Sequence, residues 1–448
     1  MLLCADYILP MSSEQLTCGA ILVQDGEIRD IGDANMLRLR YPEEEVKDLG
    51  DVALMPGLVD LHTHLENAAL RGVVNDVPYA QWATTKYAGV DKLDADDWAA
   101  SAFVGGLQAL SNGVTTVADV SIDGSALTTV LKLGMRSVIY REVGAMDKTR
   151  IEHAMNAVDR EISEWRDEAA GTLTSIGIAP AHIFDCHPEV MRQVSAYAAK
   201  ENLPVAMHLA GSREEVAFVK HGSSLFSVSR AKRGYVEIPP WLPTGVSPIK
   251  YALNWDAFES PNVMVIHGVH VDDEDIKILR KHDVSIAACP RSNAQLGMGV
   301  VPIEEYLKAN IRIGFGTDSP AVTDSSDLLT EARLGMLMTR ATTKFFLSSE
   351  KVLEMATLGA AKALRMDDVI GSLEVGKRAD IIAVDLSRTG QSPTAFPASA
   401  VAQSCSGSDV VLTMVDGKIL YENGAFASGV AEEESVETIN KIREKLRA

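Results

Sequence analysis

The chain has 448 residues, of which 46% are hydrophobic and 23% charged, a composition that buries a sizeable core and excludes intrinsic disorder. Its length exceeds one ordinary domain and suits a barrel of about 250 residues with a smaller companion. A formal net charge of -20 argues against a nucleic-acid partner, which needs a basic surface.

Residues 19–31 are two alternating apolar runs joined at Asp25-Gly26, a hairpin signal. Next, residues 55–64, MPGLVDLHTH, read as a short buried strand closing on two histidines. Alternate residues of a strand share a face, so His62 and His64 point into one space and Thr63 away from it. Two imidazoles on a rigid strand make half a coordination sphere for a metal. Taken alone, the pair is also what chance spacing of histidines produces.

Strands then alternate with helices. Asp94 and Asp97 predict an N-cap, Gly113 and Gly134 predict helix ends, a helix covers 147–168, and Pro188 starts another. Residues 114–119, 136–140, 173–179, 203–208, 262–267, 284–288 and 311–318 complete a set of eight strands with the opening run. That order implies a parallel (β/α)8 TIM-type barrel over 56–365, with chemistry where the strands end. Residues 222–261 form a long irregular insertion with Pro239, Pro240, Trp241 and Trp255; it reads as a lid on the barrel mouth or as packing on its outside. Residues 379–384 and 410–420, the latter turning at Asp416-Gly417, are again strands. The two chain ends, 1–55 and 366–430, therefore combine into one small β-sandwich domain beside the α/β barrel. Within 431–448, Val436, Ile439, Ile442 and Leu446 recur at helical spacing and predict a helix docked on the body.

Three further residues sit where a barrel would gather them with the first pair. His208 ends the fifth strand, His267 the sixth and Asp318 the eighth. Singly, each is explained by a carbonyl contact or a helix cap. Together they converge on one mouth.

MPGLVDLHTH, the lone strand-five histidine, IHGVHVDDEDI, CPRSN, GTDSP and LGAAKALRMDDVIGSLEVGKRADIIAVD resemble the amidohydrolase superfamily. The branch is that of the cytosolic deaminases and chlorohydrolases, including S-adenosylhomocysteine and guanine deaminases. HTHLE and PTGVSPIKY lean toward aminodeoxyfutalosine deaminase-like members. The resemblance spans nearly the whole chain. It implies one divalent ion, zinc or iron, held by His62, His64, His208 and Asp318. It also implies that Asp318 accepts a proton as a metal-activated water attacks an electron-poor ring carbon, and that His267 orients that water or the group attacked.

Departures from the branch fall on the substrate side. The glutamate expected three residues after the strand-five histidine is Gly211, so the usual proton shuttle is missing. Glu214 and Glu215 begin the next helix, and Glu66, two residues past His64, is the better-placed substitute; the plain alternative is a carboxylate hydrogen-bonded in its loop. Where the branch reads APHAPY this chain has APAHIF, putting Ala181 at the expected histidine and His182 one residue on. Gln81, before Trp82, stands where a ribose-binding glutamate is usual, and His270 completes the substrate-side candidates.

The expected function is hydrolytic deamination of an amino-substituted, purine-like N-heterocycle. The alternative is hydrolysis of another C–N or C–halogen bond, as in a cyclic amide, an amidine or a chloro-heterocycle, favoured by Gly211; a non-catalytic metal-binding protein is a third reading. Cytosine deaminases of nucleic acid are set aside, because no P-C-x-x-C follows His64-Leu65-Glu66. Five cysteines without CxxC spacing suggest neither disulfides nor a thiolate site. With no leader at Met1 and no membrane-length apolar run, a cytoplasmic enzyme without a membrane partner is expected; the branch leaves a homo-oligomer open.

Overall fold

A computed structural model describes residues 1–85, 90–232 and 242–447. The eight parallel barrel strands are β1 (Leu58–Thr63), β2 (Val114–Ser121), β3 (Arg136–Val143), β4 (Thr174–Pro180), β5 (Val205–Leu209), β6 (Val263–His267), β7 (Ser285–Ala288) and β8 (Ile313–Phe315). They hydrogen-bond in chain order, and a parallel bridge between Thr63 and Asp318 joins the last strand's end to the first. The interior is filled by Val59, Leu61, Ala118, Tyr140, Met264 and Ile266, all buried. Residues of opposite parity, such as Leu58, Val117, Ile139 and Val265, pack outward under the helices, as the two-residue strand period requires.

Both chain ends meet in a second, mixed sheet of nine strands. Val52–Pro56 pairs antiparallel with Ile381–Asp385, which brings the two ends together. Leu3, Leu54, Ile381 and Leu412 lie in the core of this sheet, while Leu2, Cys4 and Leu22 face the helix Ala34–Arg40 on its other side. Its hairpins turn where expected: Asp25 and Gly26, and Asp416 and Gly417, all have positive φ, the conformation of a two-residue turn that matches strand twist.

The opening run is two strands instead of one. Pro56 ends a strand of the terminal sheet and Leu58 begins β1. Gly57 is the crossing point: its N–H donates to the Asp380 carbonyl at 2.9 Å, and a Cβ there would lie 2.1 Å from Thr115 Oγ1. The insertion expected to be irregular carries two helices, Leu225–Lys232 and Pro248–Asn254. The second begins at a Ser247 cap with Pro248 in its first turn, a start signal hidden by the proline-rich stretch before it. Pro239, Pro240 and Trp241 lie outside the described residues. The helix Glu432–Arg447 buries Ile442, but Val436 is 56% exposed. Ion pairs hold this helix as well, with Lys445 reaching Asp97 at 2.6 Å. Among the described residues no helix is long and apolar enough to cross a membrane.

Candidate active site

The strand ends collect four imidazoles and a carboxylate. His62 Nε2 stands 3.1 Å from His208 Nε2 and 3.3 Å from Asp318 Oδ1. The ligand atoms of His62, His64 and His208 all lie within 4.8 Å of one another. His64 Nδ1 is 2.9 Å from the Val120 carbonyl; an N–H donated there fixes the tautomer that carries its lone pair on Nε2. A tetrahedral ion with metal–nitrogen bonds of about 2.0–2.1 Å sets its donors roughly 3.3 Å apart. The spacings of His62, His208 and Asp318 match that, and imidazoles with a carboxylate suit zinc.

Local backbone geometry aims these groups. Asp318 has φ 59° and donates its N–H to the His62 carbonyl at 2.8 Å, so the bridge that joins β8 to β1 also sets the carboxylate against His62. Close approach is possible because residue 316 is glycine; a Cβ there would fall 2.8 Å from His62 Cβ. At β6 the two-residue alternation puts Met264 and Ile266 into the interior. A left-handed φ of 73° at His267 breaks it and brings that ring to 5.7 Å from the His208 ring.

Burial and charge tune the set. Burial pushes Asp318 up, but the hydrogen bond and charge of His62, with His267 and His64, hold it well below the usual carboxylate range. Ser292 Oγ also donates to its Oδ2, and Ser319 N to its Oδ1 at 2.7 Å. Burial lowers His208 strongly, helped by the neighbouring histidines, and pushes His267 down to about 4, so both imidazoles stay neutral. Beneath the cluster, Asp60 accepts from Thr317 N at 3.0 Å and from His62 N at 3.2 Å, and burial lifts it to about 6.

A cavity of about 310 Å³ reaches His64 and is lined by His182, Phe184, Phe226, Glu142 and Asp185. Its aromatic wall is a stack: Phe184 lies 3.8 Å from Phe226 in parallel planes, His182 4.9 Å from Phe184, and His182 4.2 Å from His208. Tyr79 packs edge-on against Phe184 and Phe226, with its hydroxyl 3.5 Å from His182 Nδ1. Tyr79, Phe184 and Phe226 carried no metal or catalytic signature in sequence; an aromatic residue reads first as core.

The other sequence candidates scatter. Glu66 is buried behind His64, where its Oε2 accepts from Ser121 Oγ at 3.0 Å. Burial, reinforced by Asp119 and Asp123, raises its pKa well above the usual range. Burial also lifts Asp119 to about 8. Gln81 is exposed, Trp82 is buried in the same helix, and His270 Nε2 contacts the Met298 carbonyl at 2.7 Å. Glu215 accepts from the N–H groups of Ala210 and Gly211 at 2.7 and 3.0 Å, so both its oxygens are committed to the loop after β5. At Gly211 itself a Cβ would lie 2.8 Å from Met298 Cε and 3.3 Å from His267 Cδ2. Met298 fills the place where a glutamate side chain would start.

Comparison with known proteins identifies the family. The family model described as Amidohydrolase family matches residues 53–420. The 5-methylthioadenosine/S-adenosylhomocysteine deaminase of Moorella thermoacetica is 30% identical over 435 residues, covering 95% of both chains. That of Pelotomaculum thermopropionicum is 30% identical over 412 residues, covering 90% of this chain and 88% of its own. In structure, an adenosine deaminase from Xanthomonas campestris with bound zinc superposes with a TM-score of 0.86 at 23% identity, covering 100% of this chain and 98% of its own. On the extent of the family match and the full-length relatives, the chain belongs to the amidohydrolase family.

Proposed function

We propose that this chain is a hydrolytic deaminase of an amino-substituted purine-like heterocycle, working with one divalent ion, zinc by preference. The observation that carries the proposal is the convergence of His62 Nε2, His208 Nε2 and Asp318 Oδ1 at 3.1 and 3.3 Å. The full-length relatives named as 5-methylthioadenosine/S-adenosylhomocysteine deaminases support the substrate class. A reducing, cytoplasmic setting belongs to the same proposal, supported by five cysteines standing as free thiols. A homo-oligomer, as is common in the branch this chain resembles, completes it.

His62, His64, His208 and Asp318 would hold the ion, which when bound would supply Lewis acidity and make water a nucleophile at neutral pH. The Asp318 carboxylate, kept ionised by its histidine neighbours, takes the proton released as the nucleophile adds to the ring carbon. His267, neutral because burial pushes it to about 4, directs its ring N–H at the oxygen that gains charge. A planar ring enters along the aromatic wall of His182, Phe184 and Phe226. Departing ammonia needs a proton, and Glu66, held protonated by burial and neighbouring acids, is the group we assign to supply it.

A second reading follows from Gly211 and Met298: with an apolar side chain beside His267, a leaving group that departs without an acid is also served. Ammonia release separates the two. Metal-loaded enzyme should release one ammonia per product from an aminopurine or adenosine-type substrate and replace the amino group by oxygen. Turnover of chloro- or cyclic-amide heterocycles without any ammonia from amino compounds would favour the second reading and reject the first.

A further inference from the structure

A groove of about 840 Å³ lies along the C-terminal helix Glu432–Arg447, between it and the helix Ala95–Ser111. Three guanidinium groups line it: Arg71, Arg443 and Arg447. Several arginines of this chain of net charge -20 find carboxylates, as Arg136 does with Asp380 and Arg378 with Asp416. These three pair with no carboxylate among the described residues, and the hydrogen bonds they make go to neutral partners. Arg71 Nη2 donates to Gln108 Oε1 at 2.6 Å, and Arg443 Nη1 donates to the Arg71 carbonyl. Arg71 Nε is buried with no hydrogen-bond partner among the described residues. Glu432 and Glu444 also line the groove, outside ion-pair distance.

Arg71 and Arg443 are partly buried, and partly desolvated cations that no carboxylate bonds directly are costly. Burial pushes Arg71 and Arg443 below the usual guanidinium range, at Arg443 with the charge of Arg447 added, and the charge of Asp324 offsets this only in part. An oxyanion relieves that cost, because the planar fork of arginine matches phosphate oxygens two at a time. The groove also has an aromatic side: Tyr421 and Phe426 line it with ring centroids 5.1 Å apart.

We propose that this groove is a binding site for a phosphate-bearing small molecule, with the phosphate on Arg71, Arg443 and Arg447 and the organic part against Tyr421 and Phe426. It is separate from the histidine cluster but joined to it by one short 3-10 helix. Arg71 closes the 3-10 turn Leu65–Leu70 that His64 opens.

Isothermal titration of phenyl phosphate and inorganic phosphate into the metal-loaded full chain, against chloride at matched ionic strength, tests the site. Both anions should bind, phenyl phosphate the tighter. Arg443→Gln and Arg447→Gln should each weaken binding by about ten-fold or more. Lys441→Gln is the control: it removes a positive charge from the same helix but lines a different groove, with Thr128 and Lys132, and should leave both affinities unchanged. An equal loss in Lys441→Gln would reduce the effect to general charge and overturn the proposal. So would full affinity in both arginine variants, which would put the anion at the metal centre, or no binding of either anion by the wild type.

Discussion

A side chain at residue 211 would have to displace Met298 before it could reach the histidine cluster, since its Cβ would start 2.8 Å from Met298 Cε. Gly211→Glu alone should therefore cost stability by about 1–3 kcal/mol, the usual penalty of overpacking. Combined with Met298→Ala, it should be less destabilised than the sum of the two single changes by on the order of 1 kcal/mol. Denaturant melts of the four proteins measure this; strictly additive costs would show that the two residues do not compete for one space. Glu66 belongs to the same question. If it carries the proton that Gly211 leaves unprovided, Glu66→Gln should slow deamination by about 100-fold or more with metal content intact, and a wild-type rate would remove it from the mechanism. Residues of this kind were legible unevenly. His62, His64, His208, His267 and Asp318 stood out because histidines and an aspartate at strand ends carry a chemical signature. Met298, Tyr79 and Phe226 did not, because an apolar side chain shows its role only through what it touches.

Strand ends and helix starts gave the elements away where local chemistry fixes them. Asp272 caps the helix Asp273–Lys281 by accepting from Glu274 N and Asp275 N, both at 2.9 Å, and Asp275 returns a bond to the Asp272 N–H at 3.2 Å. Asp272→Ala should lower stability by about 0.5–2 kcal/mol while leaving the helix Ala95–Ser111, with its own Asp94 and Asp97 box, as the internal control. An unchanged melting curve would contradict that role. The strands Leu2–Ile8 and Val46–Asp48 were not legible: the first lacks a turn signal before it, and the second is too short for a period to show. The left-handed residues His267 and Asp318 were equally hidden, since neither is the glycine that normally announces such a backbone. Asp318 is held by the barrel's closure, its N–H bonded to the His62 carbonyl, which only tertiary structure reveals.

At the scale of the molecule, the barrel and the terminal sheet are locked by a buried ion pair. Arg136, the first residue of β3, donates from Nε to Asp380 Oδ2 at 2.7 Å and from Nη2 to Oδ1 at 3.1 Å, just before the strand Ile381–Asp385. The Asp380 carbonyl also receives the Gly57 N–H at the crossing between the two sheets. Asp380→Ala would leave the buried Arg136 guanidinium with only its longer contact to Asp416, at 3.5 Å, and should cost up to about 3–5 kcal/mol; a loss under about 1 kcal/mol, the surface-pair range, would show that the joint is held by apolar packing alone. That both chain ends are β and come together was legible from the hairpin signals at Asp25-Gly26 and Asp416-Gly417, though as a small β-sandwich and not as the single nine-stranded sheet they form. Which strands join them was not, because pairing between residues more than 300 apart in sequence leaves no local trace.

The most direct test of the metal centre is the ion content of purified His62→Ala, His64→Ala, His208→Ala and Asp318→Ala, measured beside turnover. Each variant should lose most of its metal and its activity together if the four residues hold one ion as proposed, His62 Nε2 standing 3.1 Å from His208 Nε2 and 3.3 Å from Asp318 Oδ1. Full metal stoichiometry in all four would contradict the assignment.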